Sequence, residues 1–203
     1  MAIDVGALVD PAHTAIVTVE CQANVVGAGA VLPMLADEVR TAGVIENVAT
    51  LVRAARAAGV DVIHCTARGR ADRKGSSTNA RLFRAVAKAP GPVDERAFRV
   101  VDAIGVEDSD LLLSRLHGLS PMAGTDLDPV LRNLGCTTIV AVGVSLNIAV
   151  TNLAFDAVNR GYHVVVPRDA VVGVPREYGD AVLANTLSFV ATITTTAALL
   201  DAW

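Results

Sequence analysis

Two side chains in this sequence have both the chemistry and the placement of an acid–base pair. Glu20 follows the apolar run T-A-I-V-T-V at residues 14–19, and Arg115 follows L-L-L-S at 111–114. A carboxylate delivered at the end of a buried strand is partly desolvated and can act as a general base. A guanidinium nearby can pair with it or hold a substrate carboxylate. The competing reading is a structural ion pair that closes the top of a sheet, and sequence alone leaves the two open. Ser145, in G-V-S-L-N, superficially matches the nucleophile elbow G-x-S-x-G. It lacks the last glycine, and the elbow needs a later acid and then a histidine at the same edge. His163, the only later histidine, opens a strand at the opposite end. Ser145 therefore reads better as a turn hydroxyl. The 4 histidines are scattered, with no Cys-x-x-Cys or His-x-x-x-His pair, so no metal site is expected. His64, beside Cys65 on a strand, reads as a core or loop histidine. G-A-G-A at 27–30 is a dinucleotide-loop fragment without its third glycine and several residues beyond a strand end. Arg68, Arg70, Arg73 and Lys74 could steer an anion, although a solvated loop is the simpler reading.

The elements that must position these groups are organised around residues 137–161. Thr138 to Val142 is a β-branched apolar run that reads as a buried strand, ended by Gly143. From Asn147 the period changes. Val150, Leu153, Ala154, Ala157 and Val158 form one face of an amphipathic helix, with Asn147 as expected N-cap and Gly161 as C′. A sharp strand-to-helix turn of this kind aims backbone N–H groups and a positive dipole end above the sheet. Before it, a lead-in over residues 1–12 precedes the strand Thr14–Val19, and a Gly/Ala/Val loop follows. One long helix is expected from Pro33 to about Ala58, stopped by Gly59. A second strand starts at Val60 and ends in His64-Cys65-Thr66. Residues 67–78 form a charged Gly/Ser-rich loop. A helix from Asn79 to Lys88 then leads into Pro90-Gly91-Pro92. Asp110 to Leu113 is a third strand, and Thr125 or Asp126 caps a helix through Leu134. A fifth strand spans His163 to Val166. A helix from about Pro175 to Leu187, a short strand near Ala191 to Thr194 and a C-terminal helix close the chain.

Strands alternating with helices imply right-handed crossovers and a parallel sheet covered on both faces. Ligands of such sheets bind beyond the carboxyl ends of the strands. The residues expected there are Glu20, Cys65, Arg115, His117, Ser145, Asn147 and Ala149. At 203 residues the chain is most simply one domain. Its 52% hydrophobic but only 3% aromatic content makes the core Ala, Val and Leu. A mean hydropathy of +0.47 is high for a soluble monomer. No run of about 18 residues is free of polar groups, so the surplus is assigned to subunit contacts and not to a membrane. The opening M-A-I-D-V-G has no basic-then-apolar pattern, so no secretory signal is expected. With 3 cysteines in no paired spacing, a reducing cytoplasm is the expected location. A net charge of −4 gives no general attraction to nucleic acid.

The strand ends resemble those of the isochorismatase-like family, often called cysteine hydrolases, over nearly the whole chain. A-I-V-T-V-E-C-Q at 15–22 is similar to the family's first strand, which ends Asp-x-Gln, with Glu20 at the aspartate position. L-L-L-S-R-L-H-G-L-S-P-M-A-G-T-D-L at 111–127 resembles the lysine strand and the segment after it. Arg115 falls at the lysine, with Leu116 as the other alignment, because one extra residue precedes Ser120. G-V-S-L-N-I-A-V-T-N-L-A-F-D-A-V-N-R-G-Y at 143–162 resembles the nucleophile turn, and Ala149 stands where the family has cysteine.

The resemblance implies a three-layer αβα sandwich on a six-stranded, mostly parallel, Rossmann-like sheet. It also implies a cis peptide near Val144–Ser145 and a homodimer or larger homo-oligomer. Family members cleave amide, imide or vinyl-ether bonds of small metabolites, commonly through a thiolate that the aspartate and lysine activate. Alanine has no lone pair, so covalent catalysis from residue 149 is excluded. Cys136 starts its strand at the wrong end and Cys21 points away from Glu20, while Cys65 lies on the right edge but on another strand. The zinc motif of the nicotinamide-cleaving branch is absent, and no cofactor is expected. Two expectations follow. Either Glu20 activates water, with Arg115 orienting the substrate and N–H groups of Asn147 to Ala149 stabilising the oxyanion, or the pocket binds a small molecule without turnover.

Overall fold

The computed structural model describes residues 4–88 and 94–203, so Pro90-Gly91-Pro92 and the first residues of the lead-in lie outside the described residues. Five apolar runs of the sequence become strands: β1 (Thr14–Val19), β2 (Asp61–Ala67), β3 (Leu111–Arg115), β4 (Thr138–Val144) and β5 (His163–Pro167). Two short strands, β6 (Val171–Val172) and β7 (Thr192–Thr194), complete a sheet of order β3-β2-β1-β4-β5-β7 with β6 paired to β4. All the paired strands run parallel. The helices are α1 (Val5–Leu8), α2 (Ala23–Val26), α3 (Pro33–Thr41), α4 (Val44–Ala58), α5 (Arg81–Lys88), α6 (Leu127–Asn133), α7 (Ala149–Asn159), α8 (Arg176–Asn185) and α9 (Thr196–Ala202).

The sheet separates two apolar clusters. On one face Val17, Val19, Ile63, Cys65, Ile139 and Ala141 pack with α6, α7 and α8. On the other, Ile16, Val62, Val140 and Val142 pack with α3, α4 and α9. Strict alternation along β1 and β4 sends successive side chains to opposite clusters, and both strands are buried along their whole length. The expected three-layer αβα arrangement is therefore present, with β1 and β4 at its centre.

Several local expectations need correction. The sheet has seven strands and not six, because Val171–Val172 pairs with Gly143 and Val144 where β5 has already left β4. A two-residue strand leaves no periodic signature. Gly143 does not end β4. The strand passes through it at φ 102, and a Cβ there would lie 2.4 Å from the Val19 carbonyl oxygen and 2.8 Å from Cys21 Sγ. Only glycine admits so close a backbone approach. The long helix from Pro33 breaks at Gly43, whose φ of 64 separates α3 from α4. The helix expected to reach Leu187 ends at Asn185, and Leu187 opens a separate 3₁₀ turn. The third strand begins at Leu111, since Asp110 is drawn into side-chain bonds described below. Asn147 is not the N-cap of α7. Ile148 holds that position without a side-chain bond. Asp126 occupies the N-cap of α6, also without a side-chain bond, while Thr125 Oγ1 accepts from the Leu127 amide. Gly59 and Gly161 do follow their helices in the left-handed conformation, as C-terminal glycines do.

Candidate functional site

The chain runs outward from β1 to β2 and β3, then crosses back to β4 and moves outward on the other side. The carboxyl ends of β1 and β4 therefore flank the point where strand order reverses, the usual ligand crevice of an open α/β sheet. Glu20 leaves β1 there, and Ser145 leaves β4 beyond the Val144–Ser145 peptide, which is cis.

Glu20 has a φ of 52, and it and Arg73 are the only positive-φ non-glycine residues among the described residues. A side chain in this region costs about 1–3 kcal/mol, and such strain concentrates at functional sites. Its local effect is definite. Ala15, Val17 and Val19 face the α7 cluster, so continued alternation would turn Glu20 toward α4. The left-handed residue inverts the sequence of faces. Cys21 packs in the α4 cluster, and Glu20 projects on the α7 side.

On that side Arg115 waits. Register pairs Cys65 with Leu113 and Ala67 with Arg115, which puts Arg115 on the face of Cys65 and Leu113. Its Nη2 donates to Glu20 Oε1, and Nε donates to the Gly118 carbonyl at 3.4 Å. Nη1 is buried and has no hydrogen-bond partner among the described residues. Arg115 is 7% exposed whereas Leu116 is 62% exposed, so Arg115, not Leu116, meets the acid. The Glu20 side chain keeps 19% exposure, and its Oε2 accepts no hydrogen bond from the described residues. Gln22 holds the strand end in place: its amide donates to the Ala67 carbonyl and accepts from the Ala67 amide, both at 2.7 Å. Gln22, the last residue of the E-C-Q segment, is not among the site residues expected from the sequence.

The other candidates divide. Cys65 is buried on the same face, and burial pushes its thiol up to about 12; the Arg115 guanidinium pulls it down and the Glu20 carboxylate pushes it up, both by less. At neutral pH it is a protonated, non-nucleophilic thiol. Ala149 begins α7 on this face at 3% exposure, within the same apolar cluster. Ser145 is half-buried, and its carbonyl accepts from the amides of Ile148 and Val150. Asn147 spends its side chain on Val174, donating to the carbonyl at 2.5 Å and accepting from the amide at 2.8 Å. The backbone amides of Asn147 and Ala149 have no acceptor among the described residues. His117 stands exposed in the loop after β3, beside Gly124. Glu20, Arg115, Cys65 and Ala149 therefore share one sheet face, while the Asn147 side chain is committed to Val174.

Two surface clefts are defined away from this corner. One, of about 360 Å³, lies between α2, α3 and the start of α4, with Val26, Pro33, Val39 and Glu46 among its walls. The other, of about 210 Å³, is bounded by Arg68, Glu95, Phe98, Arg99, Leu112 and Ser114 on the opposite face of β3 from Arg115. Among the described residues no group of three or more His, Cys, Asp or Glu side chains could hold a metal ion, and no helix is long and apolar enough to cross a membrane.

The isochorismatase domain model matches residues 14–198. The chain belongs to the isochorismatase family. The ureidoacrylate amidohydrolase RutB of Methylobacterium radiotolerans is 29% identical, over 89% of this chain and 75% of that protein. Its counterpart from an Enterobacter species is 28% identical, over 95% and 90%. Among solved structures, an isochorismatase-family protein from Burkholderia thailandensis superposes with a TM-score of 0.76 at 27% identity, covering 94% of this chain and 95% of that one. A cysteine hydrolase from Pseudomonas syringae pv. phaseolicola gives 0.77 at 24% identity, over 97% and 96%, and shares the fold.

Proposed function

We propose that this isochorismatase-family protein hydrolyses a small metabolite, with an amide as the first choice of bond and an imide or vinyl ether next, using water activated by Glu20. The observation that carries the reading is the Glu20–Arg115 pair at the sheet's switch point, with one carboxylate oxygen accepting from none of the described residues. The curated relatives named as amidohydrolases support the amide. In the proposed reaction Glu20 Oε2 takes a proton from water as the water oxygen bonds to the carbonyl carbon. The carbonyl π pair moves onto its oxygen, which the amides at the start of α7 stabilise. When that pair returns, the carbon–nitrogen bond breaks, and the leaving nitrogen takes the proton back from Glu20. The carboxylate is regenerated and no thiol takes part. Arg115 keeps Glu20 in place and orients the substrate.

A second reading, a binder that does not turn its ligand over, is favoured by one observation. Residue 149 offers a buried methyl group where the family resemblance puts a nucleophile. A panel of small amides, ureido compounds, imides and enol ethers separates the two. The hydrolase reading expects one compound to be turned over, with activity lost by at least about 100-fold in Glu20→Gln and retained after thiol alkylation. Ligand-induced stabilisation without turnover of any member would favour the binder, and loss on alkylation would implicate Cys65 instead. We also propose that the protein works in the cytoplasm as a homodimer or larger assembly. The free thiols of Cys21, Cys65 and Cys136 and the exposed Met34, Leu112, Leu116 and Phe189 support that.

A further inference from the structure

The guanidinium of Arg115 is only partly used. Nη2 is committed to Glu20 and Nε to Gly118, yet Nη1 is buried with no acceptor among the described residues, in a residue 7% exposed. A buried donor on a charged group is rarely left so, because the lost hydration is not replaced. None of the described residues accepts from it, which leaves that place to a bound molecule.

Charge decides what that acceptor is. Glu20 and Arg115 neutralise one another. A ligand carboxylate on Nη1 would put a second anion on a fork that already carries one, and like charges sharing a site oppose each other. A neutral carbonyl oxygen supplies the missing acceptor without that repulsion. It also faces donors that become more favourable as the reaction proceeds, since attack on the carbon places negative charge on this oxygen. The amides of Asn147 and Ala149, at the start of the helix on the same sheet face and likewise without acceptors among the described residues, offer donors of the same sense at the positive end of α7.

We infer that Arg115 Nη1 receives the uncharged carbonyl oxygen of the scissile group, which makes the substrate an amide or ureido compound whose reacting end carries no negative charge. The inference rests on the hydrolase reading for its catalytic consequence, but not for the binding itself. Arg115 then has two duties, holding the base with one nitrogen and the electrophile with another. A lysine, a single point donor, can hold Glu20 but cannot present that fork.

The test uses the whole protein labelled with ¹⁵N-arginine. Acetamide and acetate are titrated separately while the guanidinium resonances of Arg115 are followed, and Arg115→Lys serves to assign them. Acetamide is expected to shift the Arg115 resonances, with acetate at equal concentration doing so at least about fivefold less. A larger response to acetate, or none to either, overturns the inference without recourse to any variant. With a substrate from the panel, Arg115→Lys is expected to lower kcat by about 100-fold or more, the effect of losing an oxyanion donor, while KM changes less than about threefold. Turnover with kcat unchanged in Arg115→Lys also overturns it, and leaves the hydrolase reading intact. An acetamide response with no turnover of any compound supports the inference, and there it is the hydrolase reading that fails.

Discussion

At the scale of single residues, the site is defined as much by what its side chains cannot do as by what they can. Burial pushes the thiols of Cys21 and Cys65 up to about 12 and that of Cys136 to about 11. At pH 8 the thiolate fraction of each is therefore very small, and each sulfur is also shielded from reagents. Titration of native protein with a chromogenic disulfide should show slow reaction over minutes to hours, followed by rapid release of three equivalents when denaturant is added. A thiol that reacts within seconds in the native state would contradict the packing around it. The residue types at the strand ends were readable in advance, because a charge that ends an apolar run stands out. The direction of Glu20 was not. It follows from one left-handed φ at a non-glycine position, for which the sequence carries no marker. The choice between Arg115 and Leu116 was equally closed to pattern reading, since neighbours on a strand swap faces with a one-residue shift in register.

At the scale of elements, two devices hold the sheet edge together. One is Gly143, where β4 passes so close to β1 that a methyl would strike the Val19 carbonyl. Gly143→Ala should lower stability by at least the roughly 1–3 kcal/mol of a left-handed non-glycine residue, measured as a lower urea midpoint with little change in slope. The other is a buried network that ties β2 and the start of β3 to α4. Asp110 accepts from Arg56 at 2.5 Å and from His64 at 3.2 Å, and also from the Glu107 amide at 2.8 Å. A carboxylate only accepts, so His64 carries its proton on Nε2. Its Nδ1 then accepts from Thr18 Oγ1 at 2.8 Å. Burial pulls His64 below its ordinary value, against the pull of Asp110. Burial alone would raise Asp110, but the bonds from Arg56, the Glu107 amide and His64 together hold it below the usual carboxylate value. Both shifts act in one direction. The unfolded chain takes up a proton at His64 below about pH 6.5 and at Asp110 below about pH 4, before the folded chain does. Each contribution is present above the unfolded value and is lost as pH falls toward the lower, folded one. Asp110→Asn should therefore cost about 1.5–3 kcal/mol at pH 7. The gap from the unaltered protein should narrow below pH 4 in urea melts, and a gap constant from pH 7 to 3 would contradict the network.

At the scale of the molecule, two apolar clusters on either side of a parallel sheet leave some large apolar side chains outside, Leu112, Leu116, Met34 and Phe189 among them. If copies of the chain cover part of that surface, sedimentation velocity will show a species at or above twice the 21.0 kDa chain mass. A single monomeric boundary at all concentrations would refute the proposed assembly. The order of strands and helices, the class of fold and the family could be derived from the sequence by itself. These properties rest on local periodicity and on long motifs, both written contiguously along the chain. Element ends were less legible. The break at Gly43 is a local left-handed turn, whereas the passage of β4 through Gly143 and the two-residue strand at Val171 each depend on a neighbour from another part of the chain. The site depended most on tertiary structure. Glu20 and Arg115 are 95 positions apart, His64 and Asp110 are 46 apart, and Asn147 meets Val174 across 27. Which side chains meet over such separations is set by strand register and by a single backbone inversion. Burial patterns encode which face a residue seeks, but not which partner it finds there.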